Sequence, residues 1–491
     1  MAKYILGIDE GTTSVRAGLY NTQTDILEFK SQQEIDVFCP HDGWVEQDGE
    51  KIFQAVKNVI ENVIRQNNVK ASDILSISIT NQRETTVAWN KQTGECVYPV
   101  INWQCRRTSK MIDSLSPEQK QNLKSITGLT PDAYFSATKM AWLLKNNKQV
   151  QDLQKQNNLA FGTIESYIIY RLTNGKSFVT DVTNASRTML MNLQTCQWDN
   201  YCLQLFNIDK NCLGEIVSNN KIVGQAKIDN AKIAICGVIG DQQSALVGQT
   251  CFEVGDVKNT YGTGCFVVMN TGNQIAKSNT LVSTVGYKLE NQNAVYALEG
   301  SVFNAGSCVE LMKDWDWFEN AAQTDIMAQE VDDSGKVVFV PALTGLGCPY
   351  WNMNARGMFI GITRATKKQH LVRAVLESVA YSCVDVLLEM KKHAKINHIK
   401  CDGGVSKNNF LMQFQSDISF TELIIPKEFE KTLMGCIYMS MSGLGLSDIK
   451  TLKTKYQINK TYKPKMDIES VKRKYKRWKK AVSRSLDWVE E

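Results

Sequence analysis

Histidine is scarce in this chain, which has four of them. None stands in the spacing of a metal-ligand set or a Ser-His-Asp triad, which argues against a histidine-based metal site or hydrolase. The fourteen cysteines include no CxxC pair, and no apolar run approaches the roughly 20 residues of a membrane helix. Because strand residues also begin directly at the N-terminus, without a signal peptide, we expect reduced thiols in a cytoplasmic protein with no membrane span.

A strong charge of one sign is lacking as well. Lys and Arg number 56, Asp and Glu 51, and the net charge of +5 is too small for 491 residues to indicate a nucleic-acid partner. The densest basic run, residues 472–480, is interleaved with apolar residues at helical spacing. We interpret it as a C-terminal amphipathic helix with a solvated basic face, in preference to an RNA- or membrane-binding segment. Its apolar positions are Val471, Tyr475, Trp478, Val482 and Leu486.

The length predicts two large domains, since one hydrophobic core rarely serves so many residues. Strands alternate with helical stretches, a pattern typical of α/β layering. A Gly-Thr turn beside a strand at 265–269 repeats the Gly-Thr turn near the N-terminus, which indicates a duplicated domain. We place the boundary near residue 248, so that the domains are 1–248 and 249–491. Further strands are predicted at 4–8, 15–20, 74–80 and 233–239.

The N-terminal stretch LGIDEGTTS is an unusual end for a buried strand. It presents the carboxylate of Asp9, a tight turn at Gly11 and three hydroxyls. Backbone amides and hydroxyls donate to phosphate oxygens, and a carboxylate beside them suits a metal-bridged triphosphate. The GKS at 175–177 lacks the first glycine of a Walker motif, and no GxGxxG opens a helix. We therefore interpret the turn as a phosphate and magnesium clamp. Its hydroxyls belong to Thr12, Thr13 and Ser14.

Longer motifs carry a resemblance that extends from Tyr4 to about Trp488. The chain resembles the glycerol kinases of the FGGY carbohydrate kinase family, with Gly357 to Ile362 and the following His370 and Glu377 matching the family's second signature. The resemblance implies two actin-like (ribonuclease-H-like) ATPase domains flanking a catalytic cleft. The motifs are TNQRETT at 80–86, WQCRRT at 103–108, AYFSATKMAWLL at 133–144, TNASRTML at 183–190, GDQQSALVGQ at 240–249, NTYGTGCF at 259–266 and NNFLMQFQSDI at 408–418.

The implied activity is the ATP- and Mg²⁺-dependent phosphorylation of glycerol to sn-glycerol 3-phosphate, the entry step of glycerol catabolism. The resemblance also implies a homo-oligomer, either a dimer or a tetramer. Two rival interpretations stay open at this stage. One is a kinase of another small polyol or a ketopentose, against which the set of acceptor residues argues. The other is a non-catalytic nucleotide-binding relative, against which the retention of both Asp9 and Asp241 argues.

The acceptor side of the expected site centres on Arg83 and Glu84, at the carboxyl end of the 74–80 strand, where open α/β sheets place ligands. A guanidinium donates and a carboxylate accepts, so the two side chains can hold neighbouring hydroxyls. A surface ion pair is the alternative for these two residues, and core packing is the alternative for the aromatic walls. The resemblance adds the hydroxyl contacts Tyr134 and Gln242 and the aromatic walls Trp103 and Phe266.

The expected base is Asp241, which follows a buried strand and precedes a helix. In phosphoryl transfer a positioned carboxylate orients the acceptor hydroxyl and accepts its proton. Asp is also a favoured helix N-cap, and both roles can hold together. Asp9 and Asp241 would bind Mg²⁺ through water. The resemblance implies phosphate and nucleotide contacts from Thr12, Thr13, Ser14, Arg16, Thr263, Gly306, Glu310, Gly404 and Asn408; an ordinary turn is the alternative for Gly404.

Four departures from the family pattern have expected consequences. Glu10 replaces a glutamine and is expected to add negative charge near the metal, and Glu310 replaces a glutamine near the purine. Lys221 stands where some relatives have a phosphorylated histidine. Residues 227–235 lack the glycine-rich, arginine-containing loop that binds fructose 1,6-bisphosphate in some relatives. We therefore expect insensitivity to both of these regulatory signals.

Overall fold

The computed structural model describes residues 3–489, in which strands and helices alternate as the α/β pattern predicts. The strands are β1 (Tyr4–Glu10), β2 (Ser14–Asn21), β3 (Ile26–Glu34), β4 (Glu46–Gln47), β5 (Ile74–Asn81), β6 (Val87–Asn90), β7 (Val100–Ile101), β8 (Leu159–Gly162), β9 (Val179–Asp181), β10 (Met191–Asn192), β11 (Gln197–Trp198), β12 (Glu215–Val217), β13 (Ile222–Ile228), β14 (Ala231–Gly240), β15 (Val257–Tyr261), β16 (Cys265–Gly272), β17 (Val282–Tyr287), β18 (Val295–Val302), β19 (Val338–Val340), β20 (Met358–Ile360), β21 (His398–Asp402), β22 (Glu422–Pro426) and β23 (Ile458–Tyr462).

The helices pack around two large sheets. They are α1 (Gly49–Arg65), α2 (Ser109–Asp113), α3 (Pro117–Thr127), α4 (Ser136–Asn146), α5 (Lys148–Lys155), α6 (Ile164–Leu172), α7 (Val182–Ala185), α8 (Asn200–Leu205), α9 (Asp241–Gly248), α10 (Gly306–Asp314), α11 (Gln323–Gln329), α12 (Lys368–Met390), α13 (Asn409–Ser419), α14 (Lys431–Gly443), α15 (Ile449–Thr454) and α16 (Ile468–Ser485).

The first sheet has the strand order β13-β14-β5-β1-β2-β3. Strands β1 and β2 form the antiparallel hairpin that the sequence predicts, and β1, β5 and β14 run parallel to one another. The strand predictions at 74–80 and 233–239 are confirmed, the first extended by one residue and the second by three. Because the three central strands are parallel, their carboxyl ends meet at one edge of the sheet.

The second sheet has the order β17-β18-β16-β15-β21-β22-β23. Its strands β18, β16, β15, β21 and β22 repeat the directions of β3, β2, β1, β5 and β14: two antiparallel pairs followed by two parallel pairs. The hairpin β15–β16, with its Gly-Thr turn, thus corresponds to β1–β2. The repeated turn in the sequence therefore reflects a repeated sheet topology.

Two helices join the sheets. Helix α9 follows β14 and packs on strands of the second sheet, while α14 follows β22 and packs on strands of the first. Glycines allow the two helices to touch: a Cβ on Gly435 would lie 1.8 Å from the Ser244 carbonyl, and one on Gly248 would lie 1.9 Å from the Lys431 carbonyl. Both contacts are too close for any side chain, so this joint requires glycine.

The remaining sequence predictions concern the surface and the thiols. Helix α16 confirms the predicted C-terminal amphipathic helix, with Val471, Trp478 and Val482 buried and Leu486 just past its end. All fourteen cysteines are free thiols. None of the helices within residues 3–489 is long and apolar enough to cross a membrane.

Candidate active site

Three charged side chains meet where the parallel strands of the first sheet end. Asp9 lies in β1, Arg83 follows β5, and Asp241 is the first residue of α9 directly after β14. The register aligns Asp9 with Thr80 and Gly240 with Asn81, so the strand ends are level. Parallel pairing therefore brings together residues that lie far apart in sequence.

Donors on three sides fix the Asp241 carboxylate. Its Oδ1 accepts from the Gln242 backbone N–H at 2.7 Å and lies 3.0 Å from Arg83 Nε, while its Oδ2 accepts from Gln242 Nε2 at 3.0 Å. The N-cap interpretation of Asp241 is wrong, because Gly240 occupies the cap position and Asp241 is the first helical residue. The side chain remains 29% exposed. It is therefore held rigidly and is still accessible from the cleft.

Arg83 and Glu84 are both buried, which excludes the surface ion pair. They also do not pair with each other. Arg83 donates to both oxygens of Glu299, at 2.6 and 3.1 Å, whereas Glu84 Oε1 accepts from Arg187 Nε at 2.5 Å. Glu84 has φ = 62°, a left-handed conformation that is uncommon outside glycine and that clusters at functional sites. The two residues are thus held by different direct partners.

Glu299 and Arg187 are buried charged residues of the candidate site that the sequence reasoning missed. Glu299 lies in β18 of the second sheet and also accepts from Arg187 Nη2 at 2.9 Å. Burial opposes ionisation, but the charges of Arg187 and Arg83 outweigh it and lower the pKa of Glu299 to about 2. Arg187 stands inside the motif TNASRTML, which was a usable signal; Glu299 has no local signal, because only the fold brings it to the arginines.

Asp9 lies in an electrostatic environment that favours a cation. Burial raises its pKa to about 7, the carboxylates of Asp241 and Glu430 act in the same direction, and Arg16, at 4.0 Å, opposes them. Within residues 3–489 no group of three or more acidic, thiol or imidazole side chains is arranged to hold a metal ion alone. Mg²⁺ needs only one or two carboxylates, because phosphate oxygens and waters complete its shell. Asp9 and Asp241 fit that requirement.

The burial of Glu10 argues against the expectation that it adds negative charge near the metal. Its side chain is fully buried, accepts one hydrogen bond from Gln82 Nε2 at 2.9 Å and leaves its second oxygen without a partner. Burial raises the pKa of Glu10 well above its usual range. This favours the neutral acid, which resembles the glutamine that Glu10 replaces.

The phosphate turn and the aromatic wall are connected. Trp103 Nε1 donates to Thr12 Oγ1 at 2.9 Å, and the Trp103 ring meets the edge of Tyr134 at a centroid distance of 5.7 Å. Trp103, Tyr134 and Phe266 are each half-buried, and Tyr134 also packs against a hydrophobic core cluster. Beyond Thr12, Thr13 and Arg16 are exposed, and Ser14 is buried at the start of β2. Phe266 lies in β16 of the second sheet.

The predicted nucleotide residues gather at the matching edge of the second sheet. The Thr263 carbonyl accepts the Ala305 N–H at 2.8 Å, and the Gly306 N–H donates to the Gly262 carbonyl at 3.0 Å. Gly404 begins the turn after β21, and a Cβ there would meet nothing within 4 Å. Asn408 caps α13 through a 2.9 Å bond from the Leu411 N–H.

Glu310 lies on α10, the helix that begins at Gly306. Its side chain is 62% exposed on α10, where its nearest charged partner is Lys313, at 3.9 Å. Lys221, which directly precedes β13, is half-buried and pairs with Glu215 at 3.2 Å.

Solved structures show which class of protein this fold defines. Over 99% of both chains the structure superposes on the Plasmodium falciparum glycerol kinase with ADP, with a TM-score of 0.93 and 33% sequence identity. A xylulose kinase from Lactobacillus acidophilus, at 24% identity and a TM-score of 0.85, shows the same fold. The expected fold class, two actin-like ATPase domains flanking a cleft, is confirmed.

The family follows from the sequence comparisons. Residues 4–248 match the N-terminal domain and residues 257–444 the C-terminal domain of the FGGY family of carbohydrate kinases, and the chain belongs to this family. It is 43% identical to the glycerol kinase of Clostridium beijerinckii over the full length of both proteins. It is 44% identical to the glycerol kinase of Treponema denticola, again with complete coverage of both.

Proposed function

We propose that this protein phosphorylates glycerol to sn-glycerol 3-phosphate at the expense of ATP. The observation that carries the proposal is the Asp241 carboxylate, held at the level strand ends between Arg83 and Gln242 and still open to the cleft. A rigid carboxylate in this position suits the base of phosphoryl transfer. The similarity to glycerol kinases over the whole chain supports glycerol as the acceptor.

Each acceptor residue has a distinct task in this proposal. Arg83 donates to hydroxyl oxygens of glycerol, and Glu84 accepts from a hydroxyl hydrogen. Asp241 takes the proton of the hydroxyl that attacks the phosphorus, and Arg83 Nε keeps the Asp241 carboxylate in place before and after that transfer. Trp103 and Phe266 cover the carbon chain; Tyr134 and Gln242 complete the hydroxyl contacts.

The phosphates lie between the two glycine turns. Asp9 and Asp241 would hold Mg²⁺ through water, and the ion would supply the positive charge that neutralises the phosphates. The residues assigned to the triphosphate and the nucleoside are Thr12, Thr13, Ser14, Arg16, Thr263, Gly306, Gly404 and Asn408. We also keep Glu310, which the resemblance implies near the purine and which lies on α10, the helix that begins at Gly306.

Closure of two domains, 1–248 and 249–491, would exclude the water that competes as phosphoryl acceptor. We also expect a dimer or tetramer of identical chains, which sedimentation of the purified protein measures directly.

A coupled assay of ADP release with glycerol, with xylulose and without an acceptor tests the proposal. Glycerol should support the highest kcat/KM, and release without an acceptor should be negligible. Faster turnover with xylulose would assign the chain to another acceptor. Absence of ADP release with every acceptor would contradict an enzymatic function.

A further inference from the structure

A buried lysine next to the acceptor site has no role in the chemistry described so far. Lys258 lies in β15, and its side chain is completely buried. Its Nζ donates to Gln242 Oε1 at 2.5 Å and to Thr260 Oγ1 at 3.1 Å, both neutral acceptors. No carboxylate in the part of the chain that the structure describes forms an ion pair with it. A buried ammonium without a direct counter-ion destabilises a fold, so its position calls for a functional reason.

The contact determines which way the Gln242 amide points. An ammonium only donates hydrogen bonds, so the amide atom facing Lys258 must be the carbonyl oxygen. The NH₂ group then faces the other way, where Nε2 donates to Asp241 Oδ2 at 3.0 Å. A reversed amide would set its oxygen against the carboxylate of Asp241.

We propose that Lys258 is a positioning residue that holds Gln242 as a hydrogen-bond donor and, through Gln242, orients the Asp241 carboxylate. This inference rests on the proposed function, because it assigns Lys258 to the same phosphoryl-transfer site. The second sheet thereby contributes to the alignment of a base that belongs to the first. Lys258 itself contacts neither the acceptor nor the nucleotide in this scheme.

The electrostatic surroundings agree with a lysine kept at a cost to stability. Burial lowers the pKa of Lys258 to about 8, although the charges of Asp402, Glu299 and Asp241 act in the opposite direction. Replacing Lys258 by a neutral residue of similar length would remove this desolvation cost. It would also remove the cation that orients Gln242. Stability and turnover should therefore respond in opposite directions.

The chain offers a matched control in Lys400. Lys400 is the Cα partner of Lys258 in the parallel pair of β21 and β15, and it is also buried. Its Nζ donates to the Gln249 carbonyl at 2.6 Å and to the Thr250 carbonyl at 3.2 Å, with no link to Gln242. Its removal would leave backbone carbonyls without a donor, which is a structural role.

The test compares Lys258→Met with Lys400→Met in the full-length protein, using whichever acceptor the wild type phosphorylates fastest. We expect Lys258→Met to lower kcat by about 10–100-fold, the range for partners that orient functional groups. Its Tm should equal or exceed that of the wild type, and its KM for ATP should stay within about twofold. Lys400→Met should lower Tm while kcat stays within about twofold.

A double-mutant cycle with Gln242→Ala separates positioning from general support of the fold. If Lys258 acts through Gln242, then Lys258→Met should cost no further kcat in the Gln242→Ala background. A wild-type kcat in Lys258→Met would overturn the proposal. A double mutant in which the kcat losses of the two single variants add in full would overturn it as well. If Lys258→Met fails to fold, Lys258→Gln and Lys258→Ala replace it in the test. Gln keeps a hydrogen-bond donor, so Lys258→Gln should retain more kcat than Lys258→Ala. Equal kcat in these two variants would overturn the proposal. An inactive wild type would contradict the proposed function itself. An active wild type whose Lys258→Met variant is equally active would contradict only this inference.

Discussion

The two large sheets share a five-strand core but carry different chemistry at the edge where their parallel strands end. In the first sheet this edge carries charged side chains, Asp9, Arg83 and Asp241. In the second sheet the corresponding turns contain Thr263 and the pair Gly403-Gly404. A repeated topology therefore fixes where a ligand binds, whereas the residues at the strand ends decide what is done to it. We assign the acceptor and the base to the first sheet and the nucleoside to the second.

The division is not complete, since the second sheet also supplies two side chains to the acceptor side. Glu299 from β18 divides its carboxylate between Arg83 and Arg187, and Lys258 from β15 holds Gln242. The first sheet provides the reacting groups, and the second fixes their orientation. Variants at matched positions of the two halves can test this difference.

The largest effect should come from Asp241→Asn. We expect turnover to fall by at least about 10²-fold, because the base is lost, while glycerol still binds. The control is Asp448→Asn, the same substitution at a true N-cap in the second half, where the Thr451 N–H donates to Asp448 Oδ1 at 2.8 Å. That variant should keep its turnover and nearly all of its stability, because Asn caps helices about as well as Asp. Near-normal turnover in purified Asp241→Asn would end the assignment of the base.

Arg83→Ala should affect both halves, because Arg83 binds Asp241 of the first and Glu299 of the second. Breaking a buried ion pair costs about 3–5 kcal/mol of unfolding free energy, and the loss of hydroxyl donors should raise the KM for glycerol. Arg65→Ala, at an exposed pair with Glu61, should change stability by less than about 1 kcal/mol. A KM that rises for ATP and not for glycerol would move Arg83 to the nucleotide side.

Asp9→Asn should lower activity and raise the free energy of unfolding, and the gain in unfolding free energy should depend on pH. The folded pKa of about 7 exceeds the unfolded value of 3.8, so ionised Asp9 destabilises the fold increasingly as pH rises from about 4 to 7. The variant should therefore gain up to about 4 kcal/mol over the wild type above pH 7, and almost nothing near pH 4. Denaturant unfolding at pH 5 and pH 8 measures this difference; an equal gain at both values would contradict the burial argument.

Two neighbouring glycines in the second half, Gly403 and Gly404, distinguish a ligand contact from a requirement of the backbone conformation. A Cβ on Gly404 meets open space, so Gly404→Ala should leave stability within about 1 kcal/mol and raise the KM for ATP by about fivefold. Gly403 has φ = 88°, and a Cβ there would lie 2.3 Å from the Tyr261 carbonyl, so Gly403→Ala should unfold far more readily. An unchanged KM for ATP in Gly404→Ala would favour the ordinary-turn interpretation.

The smallest expected effect concerns regulation. The β13–β14 hairpin offers Lys227 and Lys232 but no arginine, and Lys221 already pairs with Glu215. We expect no inhibition by fructose 1,6-bisphosphate and no activation by the phosphorylated carrier protein of the sugar phosphotransferase system, since an ammonium has no free lone pair to accept a phosphoryl group. Steady-state titration with each checks this, and a clear response to either would reveal a control site elsewhere.

The sequence predicted most of the local structure correctly because periodicity and turn residues act locally. The strands before Arg83 and Asp241, the first hairpin and the C-terminal helix all follow from short-range patterns, and the long motifs located the expected site residues. Local reasoning was limited where burial and helix ends decide. Burial argues against the charge expected of Glu10, and the alternative of an N-cap at Asp241 fails by one position, because neither the depth of a side chain nor the position at which a helix begins is visible in a string of letters.

What the sequence by itself determined is therefore the α/β class, the repeated Gly-Thr turn, the family and the residue types at the strand ends. Only the tertiary structure decided which charges neutralise which. Arg83 is separated from Glu299 by 216 positions and Gln242 from Lys258 by 16, and both contacts join the two sheets. Their energies depend on distance and burial, which chain separation does not encode. The pairing of the buried charges thus had to come from the way the two halves of the chain pack together.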